Sequence, residues 1–201
     1  MVGLTRVEWV SGPRAKINFE GESTVATATN ISDENTIFAE ILIAAPRERV
    51  FQAIADPDQR RQWWGQRGLY RTTELHSDLR PGGKWWSAGV GADGKSFRVE
   101  GEYLEVVPPR LLVHTWLASW TPALETVVRW ELEPHEVHGL SDRRPQKLGA
   151  LVRIRHEGFA GNPKIALDHE SGWKRVLLWM QRFVETGETV DTREPISANR
   201  G

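Results

Sequence analysis

Cysteine is absent from all 201 residues. That removes disulfides, thiol nucleophiles and thiolate metal sites together. An excess of either charge is also missing: 26 Lys and Arg face 27 Asp and Glu, leaving a net charge of −1 and a sequence pI of about 6.6. Such a balance, with both signs interspersed, argues against nucleic acid as the main partner. No apolar run approaches the ~20 residues of a membrane-spanning helix. The opening MVGLTRVEWV carries Arg6 and Glu8 where a secretory signal would have its apolar core. These absences together point to a cytoplasmic location. Walker-type and Rossmann-type glycine patterns are missing, and so is the Gly-x-Ser-x-Gly elbow of a serine hydrolase. Nothing in the sequence implies a cofactor.

What the chain has in quantity is tryptophan. There are 10, and six of them sit in the pairs or near-pairs 63/64, 85/86 and 116/120. An indole buries a large apolar area and brings an N–H that wants a partner. So many in one domain suggest a wide, aromatic-walled interior, and hence a ligand cavity. The length suits a single domain able to bury roughly 70% of its unfolded surface without metal or disulfide support.

Along the chain, residues 1–36 read as an extension. Thr5–Val10 and Ala15–Glu20 alternate weakly around the turn Ser11-Gly12-Pro13, and Gly21–Thr36 is a polar connector. Ile37–Ala44 is apolar enough for a strand. Pro46 then suits a first helical turn, with Val50, Phe51, Ile54 and Ala55 on one face. Asp56 as N-cap with Pro57 in the first position starts a second short helix that carries Trp63 and Trp64.

Strands are expected next at Arg71–Leu79 and Lys84–Val90, then at Phe97–Val107 and Leu111–Trp120. Two more follow, in which Val128, Trp130 and Leu132 alternate with Arg129, Glu131 and Glu133, and Val152, Ile154 and His156 with Arg153, Arg155 and Glu157. One dry and one charged face per strand describe an antiparallel sheet wet on one side. Arg129/Glu131 and Arg153/Arg155 are placed to pair across it. From about Asp168 to Thr186, Trp173, Val176, Leu177, Met180, Phe183 and Val184 form a helical stripe that wants the dry face. The tail after Gly187 is polar and expected to be mobile.

The expected fold is therefore α+β, a helix grip. A curved antiparallel sheet wraps around a long C-terminal helix, with two short helices after the first strand. The segments AAPRERVFQAIADPDQRRQWW, LRPGGKWW, VEGEYLEVVPPRLLVHTW, VVRWELEP, VRIRHEGF and HESGWKRVLLWMQRFVE, in that order, resemble the START-like (SRPBCC) superfamily. The branch they resemble is the activator of heat-shock protein 90 ATPase homologue family, in its bacterial single-domain form. The resemblance covers about residues 37–187, leaving 1–36 as the extension and 188–201 as the tail. The long extension and the long connection at 134–149 depart from the family pattern.

The fold implied is the helix grip; the expected partner, a small hydrophobic or aromatic molecule, rests on the tryptophan-walled cavity rather than on the resemblance. The family name also raises contact with a chaperone, and a homodimer contact stays open. A cyclase- or hydrolase-like enzyme, or a protein that sequesters a natural product, are further alternatives within the superfamily.

The residues expected at the ligand are Trp63, Trp64, Trp85, Tyr103, His114, Trp116, Trp130, His156, Trp173 and Leu177, because ligand cavities are lined mainly by apolar and aromatic groups. Neighbours on a strand point to opposite faces, so one of Trp85 and Trp86 must leave the cavity. His156, at a strand end, is expected to meet ligand, with His114 as the other titratable group. His135-Glu136-Val137-His138 has a metal-like look, but it reads as a solvated loop rather than a zinc site. Arg60 and Arg61 read as a solvated face; the other reading sets them at the pocket mouth, facing an anionic ligand head.

Overall fold

The computed structural model describes residues 28–32, 36–137, 147–159 and 161–195. Its elements are β1 (Ala28–Ser32), β2 (Thr36–Ile43), α1 (Arg47–Ala55), α2 (Pro57–Trp63), β3 (Gly65–Gln66), β4 (Tyr70–Ser77), β5 (Lys84–Gly91), β6 (Ser96–Val107), β7 (Leu111–Ala118), β8 (Glu125–Val137), β9 (Lys147–Glu157) and α3 (Pro163–Thr186). All nine strands join one antiparallel sheet in the order β1-β2-β9-β8-β7-β6-β5-β4-β3. After β2 the chain crosses through α1 and α2 to the far edge. It then meanders back strand by strand until β9 pairs with β2.

Alternation builds the sheet's dry face. Ile37, Ala39, Ile41 and Ile43 of β2 are buried together with Val128, Trp130 and Leu132 of β8 and Val152 and Ile154 of β9. Irregular pairing at Thr72/Glu74 and at Tyr103/Glu105 bends the strands of the meander, as bulges do. On the wet face Arg153 bridges both neighbouring strands, 2.8 Å from Glu133 and 3.3 Å from Glu40. The expected Arg129 and Arg155 partners differ. Register sets these two arginines opposite each other, and each is neutralised by a glutamate two residues along its own strand, Glu131 at 2.8 Å and Glu157 at 2.6 Å. Exposed pairs of this kind add about 0–1 kcal/mol each.

The helix signals act as read. The Asp56 side chain accepts from the Asp58 and Gln59 amides at 2.9 and 3.1 Å, with Pro57 in the first turn. Gly187 ends α3 at φ 79°, and its amide donates to the Phe183 carbonyl at 2.9 Å, a left-handed stop that glycine adopts without penalty. In α3, Trp173, Val176, Leu177, Met180 and Phe183 are buried in the same core as the sheet. Among the described residues no helix is long and apolar enough to cross a membrane.

Several boundaries shift. β1 lies inside the segment read as a polar connector, paired with β2 from Ala28↔Glu40 to Ser32↔Thr36; its backbone completes an edge, which composition does not report. α3 begins at Pro163, five residues before Asp168, because proline supplies the preset first turn. β8 and β9 run as far as Val137 and Lys147, so Pro134–Val137 is strand rather than loop. The rest of that connection, 138–146, the strands expected near residues 5–20, and the last residues of the tail lie outside the described residues.

The tail up to residue 195 is docked rather than free. Val190 is buried, and its amide donates to the Gln62 carbonyl at 2.8 Å. Arg193 is buried too, ion-paired to Glu188 at 2.8 Å and bonded to the Trp63 and Gly65 carbonyls.

Gly101 of β6 sits beneath Trp85. A Cβ there would fall 2.0 Å from the Thr115 carbonyl oxygen and 2.8 Å from Trp85 Nε1. Gly101→Ala should therefore cost about 3 kcal/mol, the upper part of the overpacking range. Urea unfolding measures it, and a cost below ~0.5 kcal/mol would show that β6 and β7 yield freely.

Candidate ligand-binding site

Sheet, α2 and α3 do not close on each other completely. They leave a cavity of about 550 Å³. Trp85 of β5, Val99 of β6 and Trp116 of β7 form its floor, and His169, Trp173 and Val176 of α3 its roof. Arg60 of α2 and the adjacent Trp64 close one side, while Tyr70 and Phe97 add aromatic wall. Trp120, 55% exposed, and the Asp93–Lys95 ion pair at 2.9 Å border the solvent side.

Four indoles make one contiguous surface. Trp116 lies 5.6 Å from Trp85, 6.2 Å from Trp64 and 6.2 Å from Trp173, all measured between ring centroids. Trp64 meets Trp173 edge-on at 6.0 Å. Tilted and edge-on pairs suit the aromatic quadrupole.

Of the residues expected from sequence, Trp64, Trp85, Trp116 and Trp173 border this space. Trp63, Tyr103, His114, Trp130, His156 and Leu177 are buried in the layer behind it. Trp63 turns toward α1, its N–H bonded to the Ala53 carbonyl at 2.9 Å. Trp130 packs edge-on behind Trp173 at 5.3 Å. Trp86 takes the outer face, under Arg98 at 4.4 Å and beside His76.

The two inner histidines are fully committed. His114 Nδ1 donates to the Thr115 carbonyl at 3.0 Å, because its Nε2 accepts from the Trp130 N–H at 3.3 Å. His156 Nδ1 accepts from the Trp173 N–H at 3.0 Å, and its Nε2 donates to Thr126 Oγ1 at 2.7 Å. Thr126 in turn donates to the Trp116 carbonyl at 3.1 Å. An indole can only donate, so each tautomer is fixed. Burial pushes the His114 pKa down to about 3, helped by the Arg60 charge, and holds His156 well below its ordinary value.

His156 was expected at the ligand because it ends a dry-face run. Instead Phe159 at 4.6 Å and His169 at 5.2 Å cover it, and no ring nitrogen is left over. His169 of α3 is the histidine that borders the cavity, its Nδ1 bonded to the Ile165 carbonyl at 2.9 Å. Among the described residues no group of three His, Asp or Glu side chains is placed to hold a metal. His135 is exposed on β8, and His138 lies outside the described residues.

Arg60 does not lie on the solvated face expected of it. It is 4% exposed, stacked 4.2 Å over Trp64 and 5.3 Å from the Trp85 ring. Among the described residues its guanidinium has no carboxylate partner and no hydrogen bond. Burial lowers its pKa to about 10, opposed by Tyr103 and Tyr70, so it stays protonated at neutral pH. Arg61, in contrast, pairs with Asp58 at 3.1 Å in solvent. Helical spacing separates them: Arg60 is four residues before Trp64, so it turns inward with it. Phe97 was legible as well, two residues before Val99 on the same strand face.

Residues 44–185 match the family described as activator of Hsp90 ATPase homolog 1-like protein. The chain belongs to this family. Solved structures carry the same fold across most of this chain. A protein from Mycobacterium smegmatis is 19% identical, with a TM-score of 0.65 over 80% of this chain and 98% of its own. One from Rhodobacter sphaeroides is 20% identical, with a TM-score of 0.64 over 81% and 97%. One from Chromobacterium violaceum is 28% identical, with a TM-score of 0.59 over 75% and 98%. No functionally curated protein matches the chain.

Proposed function

We propose that this family member binds a small hydrophobic or aromatic molecule in the cavity between its sheet and α3. The four-indole wall around about 550 Å³ carries the reading. Drug-sized ligands occupy spaces of roughly this size with such linings. Sequestration of an aromatic natural product is a special case of it. The enzyme alternative drew on His114 and His156, and their nitrogens are spent on Thr115, Trp130, Thr126 and Trp173. The family's description supports a second partner, a chaperone ATPase.

Binding should alter indole emission, since four rings meet the ligand at once. It should also raise the melting temperature: a ligand at 100 times its Kd stabilises by about 2.7 kcal/mol. A panel of sterols, fatty acids, flavonoids and polyketides, followed by native mass spectrometry, is the measurement. No change in emission, melting temperature or mass across the panel would overturn the cavity reading and leave the chaperone one.

A further inference from the structure

We infer that the ligand carries a carboxylate or similarly small anionic head that docks on Arg60, with its apolar body among the tryptophans. The inference rests on the cavity reading above and adds the chemical class of what the cavity takes. Arg60 borders the cavity and is almost wholly buried, yet it faces no carboxylate among the described residues. The other buried arginine, Arg193, is held by Glu188; of the half-buried ones, Arg153 is held by Glu40 and Glu133, and Arg49 donates to the Gln59 side chain at 2.6 Å.

A charge held out of water without a counter-ion is costly to a fold. An anion arriving with the ligand recovers that cost through a charge-assisted, two-pronged hydrogen bond. The geometry leaves the prongs free. Trp64 covers the flat face of the guanidinium at 4.2 Å, whereas all five N–H donors lie in its plane.

The acidic groups on the cavity lining do not compete. Asp93 is taken by Lys95 at 2.9 Å, and Asp168 is exposed in the second turn of the roof helix. His169, also on the wall, has its pKa lowered by burial. It therefore tends toward the neutral ring and adds little positive charge of its own. The hydroxyls of Tyr70 and Ser87 border the same space and add neutral polar groups near the head. The deep end of the cavity is thus positive and its solvent side balanced.

Matched probes test this on the full-length protein: naphthoate against naphthamide, and laurate against lauryl alcohol, followed by indole fluorescence and calorimetry. The acid of each pair should bind at least about tenfold tighter, the scale of one charge-assisted bond. Arg60→Met keeps the stem and removes the charge. It should abolish the preference, so that naphthoate and naphthamide bind alike, and Arg60→Lys should retain part of it. The unliganded Met variant should melt no lower than the wild type, because it loses an unpaired buried charge.

Naphthamide and the alcohol binding wild type as tightly as the acids would overturn the inference alone, leaving Arg60 as a cation packed on indoles. A preference that survives Arg60→Met would do the same. Failure of all four probes to bind the wild type would sink the cavity reading with it.

Discussion

Trp173→Ala should destabilise the fold by about 4 kcal/mol, within the range for emptying a buried tryptophan site. Trp173 is 4% exposed and touches Trp64, Trp116 and Trp130. Its loss removes the centre of the α3 contact with the sheet. It also leaves His156 Nδ1 without its donor, since the Trp173 N–H supplies that bond at 3.0 Å. Trp173→Phe separates the two contributions. The ring is largely kept, the buried acceptor is orphaned, and about 1–3 kcal/mol should be lost. Urea unfolding with a constant m value measures both. An alanine cost under ~1 kcal/mol would mean that α3 does not grip the sheet, and a neutral phenylalanine variant would mean that the indole–imidazole bond is idle.

Acid should unfold this protein steeply. A free histidine titrates near 6.5, but in the fold His114 is pushed down to about 3 and His156 lies well below 6.5. Between those values the unfolded chain takes up protons that the folded chain refuses. Stability therefore rises with pH through this window and falls on acidification. Each refused proton is worth about 1.4 kcal/mol per pH unit, so the two rings together should remove roughly 3 kcal/mol per unit once the unfolded histidines are fully charged. His169, also lowered, adds to the same slope. Unfolding free energies from pH 7 to about pH 4.5 check this, and His114→Phe should reduce the slope by about one proton. A flat profile would show that the buried rings carry charge in the fold.

The family-level architecture was legible because each clue is local. The Val128-Trp130-Leu132 and Val152-Ile154-His156 alternations mark a sheet face within a few residues, and Asp56-Pro57 marks a helix start within four. The helical stripe of α3 needs only its own sequence. Trp179 escaped it: buried at 4%, it lies off the stripe, against Tyr70 at 5.7 Å and beneath Arg193 at 5.1 Å. Those partners come from β4 and from the docked tail, far away in the chain. β1 escaped for the same reason, since its pairing is decided by the free edge of β2.

The candidate site divides along the same line. Sequence by itself determined that thiol chemistry is excluded, that the interior is rich in indoles, and that Trp85 and Trp86 must part. These are matters of composition and of periodicity, which reports sidedness and nothing more. Only the tertiary structure decided depth: Trp116 borders the cavity while Trp130 lies behind it, and His169 borders it while His156 is sealed with both nitrogens bonded. A void forms where inward faces from distant segments fail to meet. Its position depends on strand register, sheet bending and the seat of α3 together, and no single stretch of sequence encodes these.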